Sequence, residues 1–442
     1  MMMNLSDKLE VSNNRLTRFF PLRTKDERKE PNWSSILGMV IGDIYQKELV
    51  QNDLSVYQDL CEIEFKQRLD DFEFWPVIKA MYFDSQSILE VAPEFLLFKA
   101  GETEDNKHNQ RIGEMFINLA GGPISVGFSP MRLNFMEQVL LDVLNEHSLK
   151  TKSMARHGKM AEIPFLPFLT NKYKEDLAFL GTKPSYLLDC FESFLRLYGF
   201  LYASQLAHNL MKWSDGEPKP CANYMILDTE KASGERHYLK EAGYKQLHKH
   251  AHRIFPYLSM SEMLQSGCTD TVPLWLLMQQ LAELNGAEKQ DALNRLSDFA
   301  NNFKTDRNIN NFDLSAGSSA EHVLRQILRM ALIQFESGRE REGINANFVK
   351  ATLKHLCSDF IQQRGAAGSV LVLNQDYLLL LTNLVIGNKE SLRLNELIRG
   401  FNQRGVFFDK QSQAEIVQFY ERIGNVERMS DSGDAVYVRK TV

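Results

Sequence analysis

Cysteine is scarce: five residues in 442, at Cys61, Cys190, Cys221, Cys268 and Cys357. They are odd in number, far apart and form no C-x-x-C pair, which excludes a disulfide framework, a zinc knuckle and a redox loop. The thiols are expected to be reduced, buried small hydrophobes. Long apolar runs are missing as well. The longest stretches, such as Phe194 to Ala203, are interrupted by Arg196 and Gly199 and fall short of the roughly 18 uninterrupted residues a membrane helix needs. Residues 1–20 lack the apolar core and small-residue cleavage site of a secretory signal. The expectation is a cytoplasmic protein with no membrane partner. Low-complexity tracts and internal repeats are absent, and 25 Gly and 13 Pro are ordinary counts, which argues against disorder, collagen or a fibrous repeat. An excess of positive charge is lacking too. With a net charge of −6 and a pI near 6.0, the chain has no global basic field for sequence-independent nucleic-acid binding, so any DNA contact is local or shared with a partner.

What is present is apolar content in a helical pattern. A chain that is 44% hydrophobic and 10% aromatic fills several cores. Over 320–336, Val323, Leu324, Ile327, Leu328, Ala331 and Phe335 line one face while Arg325, Gln326 and Arg329 lie elsewhere, which predicts an amphipathic helix. Residues 186–210 are apolar on nearly every side, as in a centrally packed helix. Strand candidates are few: Ile124 to Phe128 after the Gly121-Gly122-Pro123 turn, and Tyr224 to Asp228. The fold class is therefore mainly α: a multi-domain helical bundle with a few short strands and a C-terminal winged-helix-like domain. The divisions expected are an α-rich domain with short strands over 1–150, a central helical domain over 151–365 and the winged-helix-like domain over 366–442. The last joint is the small-residue stretch Arg364 to Ser369.

The final seventy residues hold the most specific pattern. A helix is predicted from about Asp376 to Ile386, a short strand over Ser391 to Leu394, and a second helix from an Asn395 cap to Gln403. Gly405 falls where a left-handed stop is expected. Ser412-Gln413-Ala414-Glu415 fits a capping box opening a third helix, with Ile416, Phe419, Tyr420 and Ile423 inward and Gly424 at its end. Val426 to Met429 and Ala435 to Arg439 then read as two strands of a hairpin, the wing, around Ser430 to Asp434.

The run Arg404-Gly405-Val406-Phe407-Phe408-Asp409, the third helix and Ser430-Asp431-Ser432-Gly433-Asp434-Ala435-Val436-Tyr437-Val438-Arg439 together resemble the end of the DptG family, DNA phosphorothioation-dependent restriction proteins. The early Phe19-Phe20-Pro21-Leu22 segment and the overall length also fit. The resemblance implies a non-catalytic subunit of a bacterial defence module that cuts DNA lacking a sulfur-for-oxygen swap in its backbone. It implies two ATPase-like restriction subunits as partners, with nucleotide hydrolysis and DNA processing residing in them. It supplies no catalytic residue.

In the third helix of a winged helix, N-terminal residues meet base edges while the wing meets phosphate. Lys410, Gln411, Gln413, Arg428, Arg439 and Lys440 suit that role. Against it, residues 370–442 hold nine Lys/Arg and nine Asp/Glu, so a protein-docking module is as good a reading. A stand-alone winged-helix DNA-binding regulator is the alternative function. His248, His250 and His252 invite a metal reading, but residues two apart on a helix diverge by about 200°, no H-E-x-x-H is present, and a solvated basic face with Lys245, Lys249 and Arg253 is preferred. Gly338 to Gly343 has phosphate-loop spacing but is followed by Ile344 and Asn345, not Lys and Ser/Thr. Glu62-Ile63-Glu64-Phe65-Lys66 has nuclease residue types but reads as a helix with exposed acids. No catalytic residue, cofactor or metal site is therefore assigned.

Overall fold

The computed structural model describes residues 19–69, 74–101, 106–122, 126–152, 163–231, 236–266, 271–315, 319–336, 338–339, 341–428 and 436–442. These are mainly helical, with a few short strands. None of the described helices is long and apolar enough to cross a membrane. The chain divides into two compact units: one comprises Pro31–Ala161 and Tyr173–Leu195, and the larger one residues up to Glu30, Glu162–Lys172 and Arg196–Thr441.

In the smaller unit, α1 (Trp33–Tyr45) starts where the Asn32 side chain accepts a hydrogen bond from the Ser35 N–H, and ends at Gln46 in a left-handed conformation, φ 53°. After β1 (Lys47–Leu49) come α2 (Leu54–Arg68), α3 (Asn106–Leu119) and α4 (Phe135–Val143), the last opened by an Asn134/Glu137 capping box. The strand β2 (Leu149–Thr151) pairs antiparallel with β1. The core is aromatic: Tyr57, Phe65, Trp75, Phe83, Phe95 and Phe98 pack together with Val139, Leu140 and Leu144. The Tyr57 hydroxyl is fully buried and donates to the Leu140 carbonyl at 2.6 Å. The acids of the 62–66 stretch are spent on exposed i,i+4 ion pairs, Glu62 with Lys66 and Glu64 with Arg68 at 2.6 Å. Of the strand candidate 124–128, residues 124–125 lie outside the described residues and 126–128 carry no strand.

Two helices, α5 (Pro167–Gly181) and α6 (Pro184–Asn209), contribute to both units. The later part of α6 is the apolar spine expected of residues 186–210: Leu197, Tyr198, Phe200, Leu201, Leu206 and Ala207 are all fully buried. Around it in the larger unit run β3 (Asn223–Tyr224), β4 (Ile226–Leu227), α7 (His237–Ala242), α8 (Tyr244–Ala251), α9 (Ile254–Leu264), α10 (Leu274–Ala282), α11 (Gly286–Asp306), α12 (Ala320–Ile333) and α13 (Glu342–Leu356). Five of the six predicted inward residues lie in α12 and are buried, as is Phe335 in the turn just after it; Gln326 is buried too, and its amide donates to the Ser315 hydroxyl at 2.6 Å. A buried amide is tolerated because it is hydrogen-bonded.

The chain then forms β5 (Ile361–Gln363), β6 (Ser369–Leu373), α14 (Gln375–Ile386), β7 (Ser391–Arg393), α15 (Leu394–Asn402), β8 (Val406–Phe407), α16 (Lys410–Arg422), β9 (Val426–Arg428) and β10 (Val436–Arg439). Arg364 to Ser369, expected as a joint, instead turns between the antiparallel strands β5 and β6, and the Arg364 guanidinium donates to the Asp228 carbonyl at 2.7 Å. The Tyr224–Asp228 strand candidate is two short strands with different partners. β3 runs parallel to β8, pairing Asn223 with Val406, and β4 runs parallel to β6, pairing Ile226 with Val372. β10 lies between β7 and β9, antiparallel to both. The predicted wing tip, 430–434, lies outside the described residues.

Two caps differ from the sequence reading. α15 begins one residue before Asn395, with the Glu396 carboxylate accepting from the Arg393 N–H. α16 begins before Ser412, because Asp409 is its cap and accepts from the Ser412 N–H at 2.9 Å. Ile416, Phe419 and Tyr420 are buried as expected, whereas Ile423 is exposed. Gly405 (φ 87°) and Gly424 (φ 74°) are left-handed.

Two glycines in helices make opposite predictions. A Cβ on Gly38 of α1 would lie 2.4 Å from the Ala100 backbone N and 2.9 Å from the Leu96 carbonyl oxygen, whereas one on Gly343 of α13 meets nothing within 4 Å. Gly38→Ala is therefore expected to lose about 1–3 kcal/mol through overpacking, and Gly343→Ala to gain up to about 1 kcal/mol through helix propensity. Urea denaturation of the two variants checks both signs.

Candidate functional site

The strands β3 and β8 are too short to hold by themselves, and their neighbours explain why they stay. Gly405, just before β8, accepts the Asn223 N–H, and the Met225 N–H donates to Phe407. Gln205 on α6 bridges the same place: its amide oxygen accepts from the Cys221 N–H and its NH2 donates to the Cys221 carbonyl, both at 2.8 Å. A Cβ at position 405 would sit 2.1 Å from Gln205 Nε2. Position 405 thus needs glycine for its positive φ and for this approach.

At the end of β8 stands a buried ionic node. The Arg236 guanidinium, 5% exposed, donates to Glu230 at 2.6 Å, to both Asp409 carboxylate oxygens at 2.5 and 2.8 Å, and to the Ser412 hydroxyl at 2.6 Å. The Ser412 hydroxyl lies 3.0 Å from Glu230, whose other oxygen accepts the Leu227 N–H at 2.8 Å. Burial alone would raise the Asp409 pKa; the Arg236 guanidinium and the Ser412 N–H outweigh it and hold the carboxyl below its ordinary value. Burial likewise opposes the Arg236 charge, and the two carboxylates overcome it, raising its pKa. Sequence reading missed this node because Asp409 and Ser412 lie 173 and 176 residues from Arg236.

The histidines divide into two pairs. His208 on α6 is buried; its Nε2 lies 2.8 Å from Asn223 Oδ1, and its Nδ1 lies 2.8 Å from His250 Nδ1. Directions follow from the ends. The Ser204 hydroxyl donates to the Leu201 carbonyl, the Asn223 amide donates to Ser204, so Asn223 Oδ1 accepts from His208 Nε2–H. His208 Nδ1 is then an acceptor, and His250 Nδ1–H donates to it. Both imidazoles are neutral: burial lowers each pKa to about 4, assisted for His250 by His208 and Arg253. The other pair, His248 and His252, meets edge to face with centroids 5.1 Å apart. Among the described residues no three His, Cys, Asp or Glu side chains cluster to hold a metal.

The residues expected to meet DNA or a partner are scattered in circumstance. Lys410 and Gln411 are exposed on the first turn of α16. Gln413 is half-buried and donates to the Phe408 carbonyl at 2.9 Å. Arg439 pairs with Glu427 across the β9–β10 ladder, and Lys440 reaches the Gly387 carbonyl at 3.4 Å. Arg428 lies on β9, and its side chain is outside the description. Cys61, Cys190 and Cys357 are buried, each thiol pushed up to about 12 by burial. Cys221 departs from that expectation: it is half-buried, with Lys212 Nζ 3.3 Å from its Sγ. Cys268 lies outside the described residues. No protein-family model matches the chain, and no curated protein matches it.

Arg236→Met leaves two carboxylates facing each other in a buried site and is expected to cost about 3–5 kcal/mol. Hydrogen exchange should quicken selectively at the Asn223 and Met225 amides; uniform quickening over the larger unit would show that the node does not act locally. The histidines predict an acid response. With folded pKa values below 6.5, the unfolded chain binds protons that the fold refuses. Their stability is complete above about pH 6.5 and is lost as pH falls toward 4, about 3 kcal/mol for buried His208. His250→Asn keeps a donor near the Nδ1 position and does not titrate. Its melting temperature should fall less steeply than the parent's between pH 6.5 and 5, and equal slopes would refute the assignment.

Proposed function

We propose that this protein is a non-catalytic, DNA-engaging adaptor subunit of a phosphorothioation-dependent restriction complex, as the DptG-like C-terminal signature suggests. The observation that carries the reading is the order of elements after β6: helix, short strand, helix, the two-residue β8, helix and a two-stranded ladder, with β7 joined to β10. That order supports a winged-helix reading, in which α16 would take the reading position and β9–β10 the wing. The exposed Lys410 and Gln411 on the first turn of α16 suit a duplex edge, and they adjoin the Arg404–Asp409 signature. The ATPase-like subunits and DNA come with the resemblance. The sequence offers no phosphate loop and no nuclease cluster, in keeping with catalysis residing in the partners.

A protein-docking role for the same segment is favoured by one observation. Arg439, the wing-side cation, already spends its charge on Glu427, which leaves less for phosphate.

The purified chain alone should hydrolyse no ATP and cut no DNA. In the assembled complex, Lys410→Glu with Gln411→Glu should weaken duplex binding for all sequences alike and reduce the slope of log K against log salt by about one, the share of a single phosphate contact. Arg439→Glu should do less. If the double variant binds DNA as the parent does but no longer joins its partners, the segment is a dock and the DNA reading is wrong.

A further inference from the structure

The pair His248/His252 borders a cleft of about 640 Å³ in the larger unit, within the range of about 300–1,000 Å³ typical of small-molecule sites. One wall is a ring ladder on α8 and its C-terminal cap residue His252. Tyr244, His248 and His252 fall at i, i+4 and i+8, with centroid separations of 5.8 and 5.1 Å. Burial, then the neighbouring His248, lowers the His252 pKa, so that ring presents a neutral π surface. The opposite wall is a face of α13, where Val349 and Leu353 give an apolar floor that Ile361 of β5 extends. On the same face Lys350 and Lys354, at i and i+4, stand at the rim. The Asn345 amide donates to the His252 carbonyl at 2.8 Å and sets the spacing of the two walls.

We infer that this cleft binds a planar heteroaromatic ring bearing a phosphate, that is, a nucleotide, either free or at the end of a strand. The ring lies against the imidazole wall and the aliphatic floor, since aromatic faces stack on imidazole and pack on Val and Leu. The phosphate takes the two ammonium groups. Lys350 and Lys354 are held meanwhile by the carboxylates of Glu27 and Glu30, and the lysines are 69% and 44% exposed. Exposed pairs of this kind contribute little stability and yield readily to a doubly charged anion. The site differs from a phosphate loop, because side-chain ammonium groups rather than backbone N–H groups meet the charge. It is separate from α16 and does not depend on that helix touching DNA.

The test is titration calorimetry of the full chain with AMP, adenosine, inorganic phosphate and a single-stranded oligo(dA). AMP is expected to bind saturably at micromolar to millimolar concentration, with adenosine and phosphate each at least tenfold weaker. Lys350→Met with Lys354→Met, two exposed positions, should bring AMP down to the affinity of adenosine. Ala346→Trp, which fills the exposed lip of the cleft, should abolish binding of both, with circular dichroism confirming that each variant is folded. Competition by oligo(dA) identifies a strand end as the occupant, and its absence identifies a free nucleotide; both support the site. No saturable AMP binding by the parent, equal binding of AMP and phosphate, or an unchanged affinity in the double-lysine variant overturns it.

Discussion

A guanidinium removed from water must find partners for its charge and its five N–H groups, or the fold that buries it is penalised by several kcal/mol. Arg236 finds Glu230 six residues back and Asp409 and Ser412 far along the chain. The node is therefore a point at which the middle of the sequence and its last seventy residues are obliged to meet. β3 and β8, β4 and β6, and the cap of α16 converge on it. Two-residue parallel ladders contribute few hydrogen bonds, and parallel pairing is slightly weaker per residue than antiparallel. Asp409 serves twice, closing the first turn of α16 with one interaction and compensating Arg236 with another.

This changes how the Arg404–Asp409 signature is understood. Arg404 is buried and donates to the Gly400 carbonyl, Gly405 is fixed by φ and by Gln205, Val406 and Phe408 are core, and Asp409 belongs to the node. Nearly the whole run is consumed in holding the segment against α6 and β3. A run of this kind is occupied by architecture, and the groups left to solvent just after it are Lys410 and Gln411. The same holds at the other end, where Phe19, Phe20 and Leu22 are buried and Phe20 packs on Phe348 with centroids 5.4 Å apart.

The histidine stretch illustrates helical geometry deciding chemistry. Because His250 points away from His248 and His252, it joins His208 in a directional hydrogen-bonded chain into the protein, while its two neighbours face a cleft. Neither pair behaves as a solvated basic face. Desolvation keeps His208, His250 and His252 neutral, so the positive character nearby belongs to the lysines.

The sequence by itself determined what local forces determine. Helical periodicity placed α12 and the spine of α6, and alternation with turn residues placed α14, β7, α15, β9 and β10 within a residue or two, because spacing of apolar side chains is a one-dimensional property. It also foresaw the left-handed Gly405 and Gly424. Tertiary structure decided the rest. Ser412 has the local chemistry of a cap, yet a buried arginine claims its hydroxyl and Asp409 takes the cap instead. Arg364 to Ser369 has the composition of a linker, yet it is a tight turn because β5 and β6 pair across it. Gln326 looked solvent-facing and is buried because Ser315 supplies its partner. For Ser412 the deciding atom lies on Arg236, 176 residues back, where no local window reaches; for Arg364 to Ser369 and for Gln326 it lies within eleven residues, on a segment whose pairing the spacing of apolar residues does not reveal.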